Sequence, residues 1–201
     1  MKVLVAGATG AVGRRLVPQL VQRGHQVVGS SRSAESADEL RALGAEPVVL
    51  DVLDPVSTRS AVEAAQPDAI VHEATALSGK NDMKHWDDSF AQTNRLRTEG
   101  TDALLAAARD AGVSRLIAQS YAGWPYAREG GPVKTEDDRL DPTPVSGMGR
   151  TLAASEHLEH EVLEAGGIVL RYGALYGAPG DAQVDLVRRR RFPIVGDGGG
   201  V

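Results

Sequence analysis

The stretch that decides the fold is Lys2-Val3-Leu4-Val5-Ala6-Gly7-Ala8-Thr9-Gly10-Ala11-Val12-Gly13. Val3 to Ala6 is an unbroken apolar run, as expected of a strand covered on both faces in a parallel sheet. Gly7, Gly10 and Gly13 follow at three-residue spacing and lead into a helix. Glycine is needed where the backbone turns tightly and approaches a pyrophosphate, and the last of the three lets helix and strand pack closely. The start of the helix then turns its unpaired N–H groups toward the phosphates. A glycine triplet alone is a weak signal, but one set between a strand and a helix is much stronger. The segment therefore predicts a dinucleotide site that uses Gly7, Thr9, Gly10, Ala11, Val12 and Gly13.

Composition sets the limits around this site. The chain has 201 residues, 42% hydrophobic and 24% charged, enough for one well-filled core. Aromatics make up only 4%, so that core must be built from Ala, Val, Leu and Ile, which suits layered helix–sheet contacts. A formal charge of −5 argues against nucleic acid as the main partner. Cysteine is absent, which excludes disulfides and thiolate metal sites. The first strand begins at Lys2 and no apolar run approaches membrane-spanning length, so the expectation is a cytoplasmic protein with no membrane partner.

Along the chain, helical and strand patterns alternate. Val12 to Arg23 reads as a helix with Pro18 inside it, followed by a strand from Gln26 to Ser30. A site selective for NAD places an acidic side chain at the end of this strand, to bond the ribose hydroxyls. None occurs between Gly13 and Glu35, and Arg32 stands where a 2′-phosphate would need a cation. The expectation is NADP(H) in preference to NAD(H), set against a plainly solvated arginine.

Glu35 to Leu43 reads as a short helix and Glu46 to Leu50 as a strand, after which Asp51-Val52 reaches the edge where an adenine would lie. Asp51 either accepts a bond from the adenine amino group or belongs to the cap of the next helix, which Asp54-Pro55 announces. Ala69 to His72 is the next strand, and the small residues Ala74, Thr75 and Ala76 after it would let a cofactor lie close. A long helix is predicted from Ser89 to Ala111, with Leu96, Leu104, Leu105 and Ala108 on its apolar side, then a strand from Ser114 to Gln119. Ser120 and Tyr121 stand at its carboxyl end, where ligands of open α/β sheets bind. They are either candidates for chemistry or structural hydroxyls.

Gly123 to Val145 reads as a loop, either a substrate contact or solvated surface, with acidic residues at Glu136, Asp137 and Asp138. A second long helix, Met148 to Ala165, carries His157 and His160 among glutamates, which is an ordinary charged face rather than a metal site. Ile168 to Tyr172 is a sixth strand, and a helix is expected from Asp181 to Arg191, ending in Arg188 to Arg191. That arginine run suits a substrate phosphate or plain solvation equally. The whole pattern predicts an α/β fold, a doubly wound parallel sheet flanked by helices.

Several segments together resemble the extended short-chain dehydrogenase/reductase family, which includes NAD(P)-dependent sugar-nucleotide epimerases and dehydratases. They are the glycine turn, Asp51-Val52, the IVHEATA segment from Ile70 to Ala76, Asn94 ahead of GTDALLAAARDAGVSRLI, and RYGALYGAPG from Arg171 to Gly180. The resemblance implies a Rossmann-like cofactor domain over 1–172, the start of a truncated substrate region over 173–201, and Asn94 near the cofactor. It also implies a homodimer through the two long helices. The family's proton-moving tyrosine, with a lysine four residues later, falls on Met148 and Leu152, and neither can transfer a proton. The resemblance aligns Tyr121 with the family's carbonyl-polarising serine or threonine, so a relocated phenol at Tyr121, preceded by Ser120 and with Arg150 as a positive neighbour, is the expected substitute. The function expected is an NAD(P)(H)-dependent oxidoreductase or epimerase-like enzyme acting on a carbonyl or hydroxyl of a small molecule. The alternatives are a non-catalytic NADP(H)-sensing regulator and a non-redox enzyme reusing the cleft.

Overall fold

The computed structural model describes residues 1–77, 85–122, 126–127, 129–131, 133–141, 147–173, 175 and 182–191. Six strands form one sheet: β1 (Lys2–Ala6), β2 (Gln26–Ser31), β3 (Glu46–Val49), β4 (Ala69–His72), β5 (Leu116–Tyr121) and β6 (Ile168–Tyr172), in the order β3-β2-β1-β4-β5-β6. The pairings β1–β2, β1–β4, β2–β3 and β4–β5 are all parallel. Strand order reverses between β1 and β4, and that reversal opens the crevice in which doubly wound sheets bind nucleotides.

β1 shows how the sequence makes the layers. Its residues alternate between two cores: Leu4 and Ala6 join one with Ile70, Leu104 and Leu158, while Val3 and Val5 join the other with Val17, Val27 and Leu40. A strand with both faces covered has to be apolar throughout, which is why Val3 to Ala6 carries no polar residue. The helices α1 (Gly13–Gln22) and α2 (Ala37–Ala42) supply the second core. The helices α3 (Pro55–Ala65), α6 (Thr101–Asp110) and α7 (Gly149–Glu164) supply the first. Leu4, Ile70 and Leu104 are fully buried, each contributing about 1.5–3 kcal/mol from burial alone.

The helix expected from Ser89 to Ala111 is instead broken into parts. A short α4 (Trp86–Ser89) ends at Phe90, whose ring stacks on Trp86 with centroids 4.6 Å apart. α5 (Ala91–Arg95) follows, then a five-residue π-helical segment, Leu96–Gly100, then α6. The wider π turn shifts the helical register and carries Arg97 inside, where it is 4% exposed. Gly100 ends the same segment close to Val52, where a Cβ would lie 3.2 Å from Cγ2 of that residue.

By contacts the chain divides into two compact units, Met1–Tyr121 with Val145–Arg171, and Ala122–Pro144 with Tyr172–Val201. In the second, Tyr126 and Leu140 form an antiparallel bridge, and the Asp138 carboxylate accepts bonds from the amide and hydroxyl of Thr135. Its helix α8 (Ala182–Arg188) carries an Asp185–Arg189 ion pair at 2.8 Å. Trp124 and most of the RYGALYGAPG segment lie outside the described residues. Among the described residues no helix is long and apolar enough to cross a membrane.

Candidate functional site

The glycine turn sits at the reversal point of the sheet. The Gly7 backbone, at φ +89°, passes so close to the loop after β4 that a Cβ would stand 2.7 Å from the amide nitrogen of Ala74. A Cβ on Gly13 would stand 2.5 Å from the carbonyl oxygens of Gly7 and Ala8. Both glycines are thus demanded by the protein's own packing. Gly10 is different: a Cβ there would meet only the carbonyl of Gly7, at 3.1 Å, and the residue is exposed. Its bare backbone fits a phosphate group pressed against the turn.

The hydrogen bonds agree with that fit. The Gly10 amide bonds to the carbonyl of Gly7 at 2.9 Å, and that of Arg14 to the carbonyl of Gly10 at 3.0 Å. Among the described residues the amides of Ala11, Val12 and Gly13 have no acceptor, and α1 has neither a side-chain cap nor an acidic residue in its first turn. A helix start left open in this way favours an anion. The turn is pinned to β2, whose buried Ser30 hydroxyl accepts the Gly7 amide at 3.1 Å.

At the end of β2, the Ser33 hydroxyl caps a short 3₁₀ helix, Ala34–Ser36, and the Ser31 hydroxyl accepts the Ser33 amide. Arg32 lies between them, exposed and without an ion pair among the described residues. The neighbouring Arg14 is engaged with Glu39. Asp51 accepts the Leu53 amide at 3.0 Å, while Asp54 is the true cap of α3 and accepts the Val56 amide at 2.9 Å. Val52 is buried. Beyond β4, Ala74, Thr75 and Ala76 are half-buried, and the Ala76 amide bonds to the Thr93 hydroxyl at 3.1 Å.

Asn94 donates to the Thr151 hydroxyl at 3.2 Å, and its buried Oδ1 has no partner. Thr151 in turn donates to Asp87 at 2.8 Å. Asp87 also accepts the backbone amides of Arg150 and Thr151, so a residue of α4 caps the start of α7 from across the fold. Burial works to raise the Asp87 pKa, but the bonds from Thr151 and Arg150 outweigh it and hold the carboxyl below the usual range.

Met148 and Leu152, where the family resemblance puts tyrosine and lysine, are buried in an apolar cluster with Trp86 and Phe90. Arg150 is exposed and faces Asp88 at 2.6 Å. The positive charge acting on Tyr121 comes from Arg97 instead. Tyr121 is half-buried at the end of β5. Burial pushes its phenol pKa up and the Arg97 charge partly offsets this, so the phenol keeps its proton at neutral pH.

Ser120 points elsewhere. It is fully buried and donates to Oε1 of Glu159 at 2.5 Å. Glu159 is also bound by Arg171, through Nε at 3.0 Å and Nη2 at 2.6 Å. His72 ends β4 with its Nε2 3.2 Å from the carbonyl oxygen of Leu96, and burial pushes its pKa down to about 4. His157 pairs with Asp102 at 2.8 Å. Sequence reasoning missed Arg97, Glu159 and Asp87. A signal for Arg97 existed, because in helical spacing it shares a face with Thr101, Leu104 and Ala108, all buried.

Comparisons with known proteins agree with this arrangement. Residues 3–193 match the model of the NAD dependent epimerase/dehydratase family. A 3-diazoavenalumate denitrifying reductase from a Streptomyces species is 47% identical, over 88% of this chain and 57% of its own length. A 2-alkyl-3-oxoalkanoate reductase from Stenotrophomonas maltophilia is 31% identical, over 98% of this chain and 59% of its own. Among solved structures, a UDP-glucose 4-epimerase from Thermus thermophilus in complex with NAD superposes with a TM-score of 0.71 at 25% identity, covering 88% of this chain and 56% of that one. The chain thus spans less than two thirds of the length of these relatives. With the glycine turn at the reversal point of a 3-2-1-4-5-6 sheet and a family match over nearly all its length, the chain belongs to the NAD dependent epimerase/dehydratase family.

Proposed function

We propose that this protein is an NADP(H)-dependent reductase of a small carbonyl compound that carries a carboxylate, with Tyr121 as the proton donor. The observation that carries the reading is the Tyr121 phenol at the carboxyl end of β5, close enough to feel the charge of the buried Arg97 and in the same sheet as the glycine turn. The turn and the amides of Ala11 to Gly13 bind the pyrophosphate, Gly7 and Gly13 keep helix and strand close, and Arg32 takes the 2′-phosphate. Asp51 and Val52 border the adenine, while Ala74, Thr75, Ala76 and Asn94 line the path to the nicotinamide. The bound cofactor supplies the hydride. Tyr121, protonated at neutral pH, gives its proton to the oxygen that gains charge as the carbonyl is reduced. Ser120 acts as a positioning residue, tied through Glu159 to α7 and β6.

Two relatives, the 3-diazoavenalumate reductase and the 2-alkyl-3-oxoalkanoate reductase, are named for carboxylates, and this supports the substrate class. The regulator and non-redox readings find no support among these reductases and epimerases. The reading also takes the protein as a cytoplasmic homodimer formed through the helices around 86–110 and α7, which light scattering on the purified protein tests. The activity is tested by following NADPH absorbance with a 3-oxoalkanoate. Tyr121→Phe should lower kcat by about 10²–10⁴ and leave NADPH affinity unchanged. Unchanged turnover in that variant would remove Tyr121 from the mechanism.

The burial of Met148 and Leu152 favours a second reading. Hydride delivered to a carbon bearing a diazonium group forms a C–H bond as the C–N bond breaks and dinitrogen leaves. No proton is needed, so a site without the tyrosine–lysine pair is sufficient. On this reading Tyr121→Phe leaves reduction of an aryl diazonium carboxylate unchanged while still slowing reduction of a ketone.

A further inference from the structure

Arg97 is a buried cation whose Nε and Nη1 find no hydrogen-bond acceptor among the described residues. It is 4% exposed, and both of those nitrogens are sealed from water. Among the described residues its guanidinium donates no hydrogen bond at all. The ionisable groups acting on it are His72 at the end of β4, Tyr121 at the end of β5, and Glu159 on α7. None of them pairs with it. His72 is neutral at ordinary pH, Tyr121 holds its proton, and the Glu159 carboxylate is occupied by Arg171 and Ser120.

Leaving a guanidinium buried and unbonded is costly, and burial works against its charge. Its position explains why the cost is borne. The ends of β4 and β5 are the carboxyl edge of the sheet, where ligands bind in folds of this kind. The π-helical segment Leu96–Gly100 turns Arg97 toward that edge, and π turns of this sort recur at functional sites. Arginine presents a planar fork of donors that matches a carboxylate in two parallel bonds.

We propose that Arg97 is the substrate-recognition residue of this site and that its guanidinium binds the substrate's carboxylate. The inference rests on the carboxylate substrate class proposed above. It makes Arg97 a specificity determinant: the incoming carboxylate supplies a charged acceptor that the described residues do not, and an ester or amide of the same substrate supplies only a neutral one.

The test uses a 2-alkyl-3-hydroxyalkanoate, the stable reduced form of a 3-oxo acid, and its methyl ester, titrated calorimetrically with and without NADP⁺. The wild-type chain should bind the acid about 10- to 100-fold more tightly than the ester, the worth of a hydrogen bond to a charged group. Arg97→Met should bind the two alike, Arg97→Lys should keep part of the preference, and NADP⁺ affinity should be the same in all three. Arg97→Met should also melt at a higher temperature, because an unpaired buried charge has been removed. A wild type that does not prefer the acid, a preference that survives in Arg97→Met, or a lower melting temperature for that variant would each overturn the proposal. Should the acid preference and its loss in Arg97→Met hold while NADPH is never oxidised by the 3-oxo acid, the reductase reading falls and the Arg97 site stands.

Discussion

Gly13 shows how narrowly single residues are constrained here. Its missing side chain is what lets α1 begin directly after the turn, since a Cβ would press to 2.5 Å against two carbonyl oxygens. Gly13→Ala should therefore lose about 1–3 kcal/mol of stability, measured by urea unfolding, together with nucleotide binding. Glu159 is constrained by its partners. It is 8% exposed and accepts from both Arg171 and Ser120, so Glu159→Ala should cost about 1–3 kcal/mol by removing those charge-assisted bonds. His72 governs the acid side of stability. Its folded pKa of about 4 lies below the unfolded value of 6.5, so between those values the unfolded chain binds the extra proton. Stability should then be full above about pH 6.5 and fall as the pH drops toward 4, by about 3 kcal/mol from this residue. In His72→Gln that part of the pH dependence of unfolding should be absent.

The glycine roles were legible in the sequence because they follow from spacing beside a strand. Arg97 was legible only in part: its helical spacing to Thr101, Leu104 and Ala108 put it on the buried face, but no apolar period announces the π turn that carries it fully inside. Arg150 was expected beside Tyr121, but Asp88 and Asp87, distant in sequence, hold its guanidinium.

Elements in this fold lean on one another at their ends. α7 starts at Gly149 with no side-chain cap of its own, and Asp87 of α4 supplies the acceptors for the amides of Arg150 and Thr151. Asp87→Ala should cost about 1–2 kcal/mol, as losing a helix cap does, and Asp87→Asn should recover part of it. Circular dichroism during thermal unfolding of the two variants would show this. The same contact explains why the helix predicted from Ser89 to Ala111 starts earlier and is interrupted. Trp86 and Phe90 must stack and meet Met148 and Leu152, while the π segment must bring Arg97 and Gly100 inward. Pattern reading found the apolar register of this region but not its breaks, since both are set by contacts with α7 and Val52 that lie far along the chain.

At the scale of the molecule, the doubly wound sheet was readable from the alternation of strand and helix, and five of the six strands lie within a residue of their expected ends. β5 runs on to Tyr121, two residues past the expected Gln119, and so brings the proposed proton donor into the sheet itself. The departures concern chemistry more than architecture. The apolar cluster fills the place the resemblance gives to tyrosine and lysine, and a phenol and a buried guanidinium stand at the ends of neighbouring elements instead. The proposed NADP(H) site is the turn from Gly7 to Gly13 together with Arg32. Calorimetric titration of NADPH and NADH into the wild-type chain and Arg32→Ala tests it most directly. NADPH should bind more tightly than NADH, with a preference of about 10- to 100-fold that collapses in the variant while NADH affinity is unchanged. Equal affinities in the wild type, or a preference that survives in Arg32→Ala, would contradict it.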